Sequence, residues 1–546
     1  MRAQISLTVT LAGSASPSPL QATPAYREAR AAESLAKVYP NPDPNPHPNP
    51  NPNPNLAKVY PNPNPNPNPN PNPNPNPNLA KVYKCHYPHR PTLTARGVRR
   101  SPLHEHLAAR GACFRDVSGW EGADWFAAPG QAAELGELSW GRHPNWWGRW
   151  AAEHAACRDA CVLLDMSFMS KFLVRGRDAG ALLDWLATAR VDGSEGTITY
   201  TQLLSPRGTL EADLTITKLP ADCAGVGGLG GEPGFLVVRV RVRVRVIGLG
   251  LGLGLANPHP NPNPNPNPNQ VATDTAHRHV ESLLRRGAEE WGGAHGARAS
   301  VTDVTGGLAQ INLQGPSSRA LLARLTTADV SDGAFPFRAA RTIAIGCAPV
   351  LATRITYVGE LGYELFVPTE AAVHVYDRIT AEGEGAGLTH AGLKALGSLR
   401  MEKGYRDYGH DLDNCDTLLE AGLGFTADYD KPGGFVGMEA CLAQRRAGGP
   451  AQRLVQVGLA QPEPLLYHGE VVYRNGQVVG DVRAASYGHT LGGAVGLSMV
   501  RAADGERVSP AWISGGDWEV DVAGVRVPAR ASLRPMYDPK NERIRL

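Results

Sequence analysis

The chain carries 546 residues, enough for roughly two to four domains. Its 54 basic and 52 acidic residues leave a net charge of +2, which marks no surface for nucleic acid or an acidic membrane. No run of about 18 apolar residues is present, so no membrane span is expected. Eight cysteines are scattered without CxxC pairs or a zinc spacing, which reads as free thiols in a reducing compartment.

The first 26 residues hold Arg2, several Ser and Thr and no acid, a pattern that fits an organelle-targeting segment and equally a structureless start. Residues 36–79 are mostly Asn-Pro alternation, with Leu-Ala-Lys-Val-Tyr repeated at 35–39, 56–60 and 79–83. Proline at every second position removes amide donors and blocks both helix and sheet, so residues 1–82 are expected to build no core. Globular sequence begins near Tyr83.

Residues 101–127 predict a short helix followed by an aromatic-rich loop. His104 and His106 have no acid or cysteine at a ligand spacing, so they read as solvated helix-start histidines and no metal site is expected. From Trp146 to Met166 the pattern is helical, with Cys157 and Cys161 on one face as buried free thiols. A second amphipathic helix is predicted over 179–187.

The next stretch organises the chain. Ile198, Tyr200 and Gln202 share one face of a strand, Pro206-Arg207-Gly208 makes a turn, and Leu214 and Ile216 then alternate with Thr215 and Thr217. Asp213 lies beside these apolar positions. A carboxylate there must be paired, hydrogen-bonded or shifted in pKa, because burying a bare charge is costly. A turn-capping or surface aspartate is the competing reading.

Gly225 to Gly230 formally satisfies GxGxxG, but it precedes a strand and lacks an acid about 20 residues on, so it predicts no dinucleotide site. No other nucleotide-binding motif appears, and no flavin-binding domain is visible. Residues 239–270 run through Arg-Val, Gly-Leu and Asn-Pro repeats. Without them, Phe235–Val238 meets Val271–Asp274 and an amphipathic helix over 276–285, so the block reads as an insertion, or a gene-model artefact, in a continuous domain.

Further on, Ile311–Pro316 gives a strand and turn, 318–325 a helix, and 341–367 two β segments. Helices follow over 371–382 and 394–402, the second carrying Arg400. Asn475-Gly476 between apolar runs is a strong hairpin signal, and short β runs to Val527 predict a small barrel-like domain.

Tyr200, Asp213, Tyr357, Glu364 and Arg400 combine aromatic faces, two carboxylates and an arginine, a set that suits a flat polar heterocycle. A structural salt-bridge network is the alternative on composition. The hairpin with Asp213, Tyr357-Val-Gly-Glu-Leu-Gly-Tyr-Glu364 and Ser398-Leu-Arg-Met-Glu-Lys-Gly-Tyr405 resemble the folate-binding domain of glycine-cleavage T-protein (aminomethyltransferase). Cys157-Arg-Asp159, Ser167-Phe-Met-Ser-Lys-Phe172, Asn312-Leu-Gln-Gly-Pro316, Phe335-Pro-Phe337, Gly404 to Asp411 and Glu420-Ala-Gly-Leu-Gly424 are similar to the C-terminal half of sarcosine and dimethylglycine dehydrogenases. Tyr87 to Trp125 resembles the linker that joins their flavin and folate domains.

The resemblance implies an α+β fold, a three-lobed (cloverleaf) folate-binding domain with a small C-terminal β-barrel. It implies domains at 83–142 (a flavin-oxidoreductase linker remnant), 143–449 (aminomethyltransferase-like, with 239–270 inserted) and 450–546 (the barrel). Tetrahydrofolate is the implied cofactor, with FAD not bound by this chain. Asp213 would orient the folate amine and handle a proton, Tyr200 and Tyr357 line the ring, Glu364 pair with pterin donors, and Arg400 hold an anionic or polar part. Implied partners are a small amine-derived one-carbon donor and a separate flavin subunit or lipoyl carrier protein. The implied compartment is the mitochondrial matrix, otherwise the cytoplasm. The resemblance also reaches the regulatory subunit of pyruvate dehydrogenase phosphatase, so a non-catalytic binding protein, or a fragment of a truncated gene, is the alternative. Two departures stand out. The family's Asn-x-x-Gly-Gly turn is Ser205-Pro-Arg-Gly208-Thr209, and Leu418 replaces a proline.

Overall fold

The computed structural model describes residues 96–239 and 275–546, apart from Ser118, Glu137, Gly228, residues 230–233 and Ala297. The Asn-Pro repeats and the Arg-Val/Gly-Leu block lie outside the described residues.

Two sheets and a barrel carry the architecture. The first sheet runs β10-β11-β12-β9-β3-β13, from Ala340–Ile345, Ala348–Thr353, Gly362–Pro368, Leu308–Gln314, Cys161–Asp165 and Leu388–His390. The second runs β5-β6-β7-β4-β8, from Ile198–Leu204, Leu210–Lys218, Gly234–Arg239, Lys171–Arg175 and Ser300–Asp303. The closed barrel runs β14-β17-β16-β15-β18-β19, from Gln452–Leu459, Gly493–Arg501, Gln477–Gly488, Val471–Arg474, Trp518–Val522 and Val525–Ser532. Asn475 and Gly476 both take positive φ between β15 (Val471–Arg474) and β16 (Gln477–Gly488), the backbone that a two-residue hairpin requires.

Strand alternation dictates the layering. Phe235 and Val237 of β7, with Leu214 and Ile216 of β6, pack on helices α3 (Ala179–Leu186) and α4 (Thr275–His295). Leu236 and Val238 point the other way, onto Leu308, Leu351 and Phe366 of the first sheet. Asp213 lies one residue out of phase with Leu214, so it faces away from the helices. Helices α5 (Ser318–Leu325) and α6 (Ala372–Glu384) cover the first sheet's other face.

Three elements differ from the sequence reading. Residues 112–126 form a β-hairpin, β1 (Ala112–Val117) with β2 (Trp120–Phe126), where an aromatic loop was expected. The helix α2 (Trp147–Asp159) stops before Cys161, which opens strand β3. All five β3 residues are buried between β9 and β13, and a strand buried on both faces has no alternation to separate it from a helix. Cys157 and Cys161 are therefore not on one helical face, though both are buried free thiols. Residues 340–368 make three strands because Gly346, at φ +60°, closes an additional hairpin. His104 and His106, on α1 (His104–Ala109), are half-buried against the rings of Phe114 and Tyr376. No cluster suited to a metal ion occurs among the described residues, and no helix there is long and apolar enough to cross a membrane.

A buried ion cluster ties the parts together. Arg158 of α2 donates to Glu360 at 2.8 Å and to Glu402 at 2.8 Å, the latter at the end of α7 (Leu393–Glu402). Glu402 also accepts from the barrel amides of Thr490 at 2.8 Å and Leu491 at 3.2 Å. Glu360 accepts from the C-terminal residues Tyr537 at 2.9 Å and Arg543 at 2.7 Å. Arg158→Leu removes the buried cation that both carboxylates share, leaving Glu360 with Arg543 alone and Glu402 with His154, so urea unfolding should show a loss of about 3–5 kcal/mol.

Candidate functional site

The β5–β6 hairpin sets the site's geometry. Its turn needs one residue with positive φ, and Gly208 supplies it at +77°. Thr209 occupies the place of the family's second glycine and bonds Ser205 through the two hydroxyls at 2.8 Å, so that substitution costs the turn nothing. Leu418 is fully buried in the core between the second sheet and the barrel. In the hairpin register Gln202 lies opposite Asp213, and Tyr200 opposite Thr215, all on one face.

Asp213 is fully buried. Its Oδ1 accepts from the Gln202 amide at 2.8 Å, while Oδ2 has no hydrogen-bond partner. The Tyr200 hydroxyl faces the carboxylate and steadies its charged form without closing a bond of good geometry on Oδ2. Burial pushes the Asp213 pKa up to about 7, against the opposing pull of Gln202, Tyr200 and the Arg406 guanidinium. Burial and the Asp213 charge raise the Tyr200 phenol well above its ordinary value, so Tyr200 stays a neutral donor.

Tyr357 reaches the same cluster from the loop between β11 and β12. Its hydroxyl donates to the Arg406 carbonyl at 2.6 Å and its ring stacks on Tyr405 at 6.1 Å. Tyr200 and Tyr357 remain half-buried, so part of each side chain stays accessible. Arg400 is in the cluster but is engaged: its Nη1 donates to Asp411 at 2.8 Å and to the Tyr405 carbonyl at 3.0 Å. Asp411 raises the Arg400 pKa against burial, so this arginine is a fixed positive wall.

Glu364 sits apart from these four. It lies on β12, where Gln310 and Asn312 of β9 donate to it at 3.2 and 3.4 Å. Burial pushes its pKa up to about 7, with Lys171 acting against the shift. Lys171 is fully buried, its ammonium donating to the carbonyls of Ser167 at 3.1 Å and Met169 at 2.8 Å, and burial lowers its pKa to about 7. The fold thus joins Tyr200, Asp213, Tyr357 and Arg400, and gives Glu364 its own polar surround.

Sequence reasoning missed Gln202 as a donor to Asp213, Arg406 beneath it, and Thr426, whose hydroxyl bonds Gln202. The period-2 pairing already placed Gln202 on the aspartate's face. Arg406 and Thr426 come from loops with no such signal. Phe425, next to Thr426, is 77% exposed, an unusual state for a large apolar side chain.

With this geometry in place, comparison with known proteins is decisive. The GCVT N-terminal domain model matches residues 103–226 and 269–431, and the glycine cleavage T-protein C-terminal barrel domain model matches residues 452–538. The chain belongs to the glycine cleavage T-protein family. It is 38% identical over 467 residues to 4-methylaminobutanoate oxidase (formaldehyde-forming) of Paenarthrobacter nicotinovorans, covering 86% of this chain and 49% of that protein. Human mitochondrial sarcosine dehydrogenase is 32% identical over 491 residues, covering 85% of this chain and 49% of that one. The chain thus spans about half the length of these relatives. It is 28% identical to an aminomethyltransferase of Streptomyces coelicolor over 443 residues, which are 98% of that protein. The aminomethyltransferase T of Bartonella henselae shares the fold at a TM-score of 0.60 and 20% identity, covering 81% of this chain and 98% of that one.

The raised carboxyl pKa values carry a stability consequence with a definite sign. Asp213 and Glu364 hold protons in the folded chain that an unfolded chain has already lost above about pH 4. Their contribution is therefore full below that pH and declines as pH rises towards 7. Asp213→Asn should melt about 3 °C above the wild type at pH 8, with the gap closing near pH 4 in scanning calorimetry. An equal gap at both pH values would contradict the assignment.

Proposed function

We propose that this chain binds tetrahydrofolate and transfers a one-carbon unit to it, giving 5,10-methylenetetrahydrofolate. The observation that carries this reading is the unpartnered Asp213 Oδ2, fully buried on the face that also bears Tyr200. A buried acceptor without a donor is costly, and a ligand N–H is the partner that would satisfy it.

Tetrahydrofolate supplies the nitrogens that accept the one-carbon unit. Asp213 would accept the ligand's amine proton at Oδ2, and a pKa near 7 suits a group that takes and returns a proton at neutral pH. Tyr200 and Tyr357 would give the ring flat apolar faces, with their hydroxyls held as neutral dipoles. Glu364, steadied by Gln310 and Asn312, would accept a pair of pterin N–H donors. Arg400, saturated by Asp411 and the Tyr405 carbonyl, would act on the ligand through its charge and the wall it builds.

The donor would be a methylated glycine or an aminomethyl group, delivered by a separate flavin subunit or a lipoyl carrier protein. The family match pauses at 226 and resumes at 269, which supports a block inserted in a continuous domain, and it runs from 103 to 431, so it takes in part of the 83–142 segment expected as a linker. The mitochondrial relatives support a matrix location.

Calorimetry with tetrahydrofolate on the full chain tests the pocket, and a one-carbon transfer assay tests the chemistry. Tyr357→Ala should weaken binding about tenfold or more, a loss of about 1.4 kcal/mol or more. Asp213→Asn should cut transfer by about 100-fold while binding changes much less. Absence of saturable binding by the wild type would overturn this reading and leave a protein resembling the pyruvate dehydrogenase phosphatase regulatory subunit, a relative at 27% identity.

A further inference from the structure

Gln202 is fully buried and every polar atom of its side chain is engaged. Its amide nitrogen donates to Asp213 Oδ1 at 2.8 Å, and its Oε1 faces the Thr426 hydroxyl. An amide flipped by 180° would set Oε1 against the carboxylate oxygen, so its orientation is tied to the Asp213 charge. Thr426 has one proton and two acceptors in reach, Gln202 Oε1 and the Leu423 carbonyl at 2.8 Å. Donation to Gln202 fixes the amide with its N–H₂ towards Asp213. Donation to Leu423 leaves Oε1 with only the longer bond from the Thr188 hydroxyl at 3.5 Å.

We propose that Gln202, oriented by Thr426, is a positioning residue that holds Asp213 by Oδ1, so that the carboxylate stays ionisable and presents Oδ2 alone to a ligand. The catalytic meaning of this arrangement rests on the one-carbon transfer reading, whereas the hold on Asp213 does not. Four other groups face Asp213: Tyr200 from β5, Tyr357 from the β11–β12 loop, and Arg406 and Asp407 from the segment after α7. Tyr200 and Arg406 favour the charged form and Asp407 opposes it. Gln202 is the one among the described residues that closes a hydrogen bond on the carboxylate.

The test uses the full chain with Gln202→Leu, Thr426→Val and Thr426→Ser. The Asp213 carboxyl is titrated in ligand-free protein by infrared difference spectra against Asp213→Asn. Gln202→Leu should raise the midpoint by about one unit, Thr426→Val by less, and Thr426→Ser should restore it. With tetrahydrofolate and a one-carbon donor, Gln202→Leu should lose about tenfold in kcat at pH 7, recover part of it at pH 8.5, and keep Kd within about threefold. An unchanged midpoint in a folded Gln202→Leu overturns the proposal. Should Gln202→Leu fail to fold, the Thr426→Val and Thr426→Ser pair decides it, an unchanged midpoint again being the overturning result. A wild type that does not bind tetrahydrofolate sinks the functional reading, and the titration still decides whether Gln202 holds Asp213.

Discussion

Arg158 is the interaction on which the arrangement of the parts depends. It bonds two glutamates from different elements, and those glutamates bond the barrel loop and the C-terminal residues. Apolar cores join the two sheets to each other and the second sheet to the barrel, but apolar packing is non-directional and specifies relative placement only loosely. A desolvated guanidinium demands an opposite charge at a set distance and direction. Arg158 also donates to the Val358 carbonyl at 2.9 Å, one residue from Tyr357, and to the Leu399 carbonyl at 3.3 Å, one residue from Arg400. The cluster therefore helps fix Tyr357 and Arg400, which lie outside the hairpin.

The site itself is built against local stability. Asp213, Glu364 and Lys171 each lie where burial disfavours the charged form, and their pKa values converge near 7. A structural ion pair would bring such groups together. Here no salt bridge among the described residues joins Asp213 or Glu364 to a cation, although Arg400 and Arg406 are in the neighbourhood, and both arginines are taken up by other acceptors. Arg400, by contrast, sits in a buried salt bridge with Asp411, as composition alone allowed. Arg158 shows what a structural network looks like in the same molecule.

Much of this was legible in the sequence. The hairpin, the α5 helix and the barrel were read from period and turn chemistry, and the Asn475-Gly476 turn takes the φ values its sequence implies. The errors have physical causes. Cys161-Val-Leu-Leu-Asp165 is buried on both faces, and Trp120–Phe126 is almost wholly buried, so neither shows the alternation that announces a strand. The bond from Arg400 to Asp411 was not legible because Asp411 lies 11 residues on, in a loop whose path has no periodicity. Gln202 was visible on the right face, but its bond to Asp213 depends on register, which pattern alone leaves free by two residues.

The place where the repeat block joins the domain explains how the site can coexist with it. Among the described residues, β7 pairs with β6 as far as Arg239 opposite Leu214, one residue from Asp213. The aspartate therefore takes its register from β5, where pairing runs unbroken from Ile198 through Leu203. Chain re-entry is fixed by two histidines of α4. His277 bonds Ser170 at 2.7 Å and Asp303 at 3.1 Å, and His279 bonds Glu211 at 2.7 Å. The junction is anchored by side chains on β6 and β8 and in the β3–β4 loop, while the carboxylate is held from the opposite neighbour. The Gln202–Asp213 bond itself is drawn from β5 and β6, and β7 supports it through the packing of Phe235 and Val237 with Leu214 and Ile216.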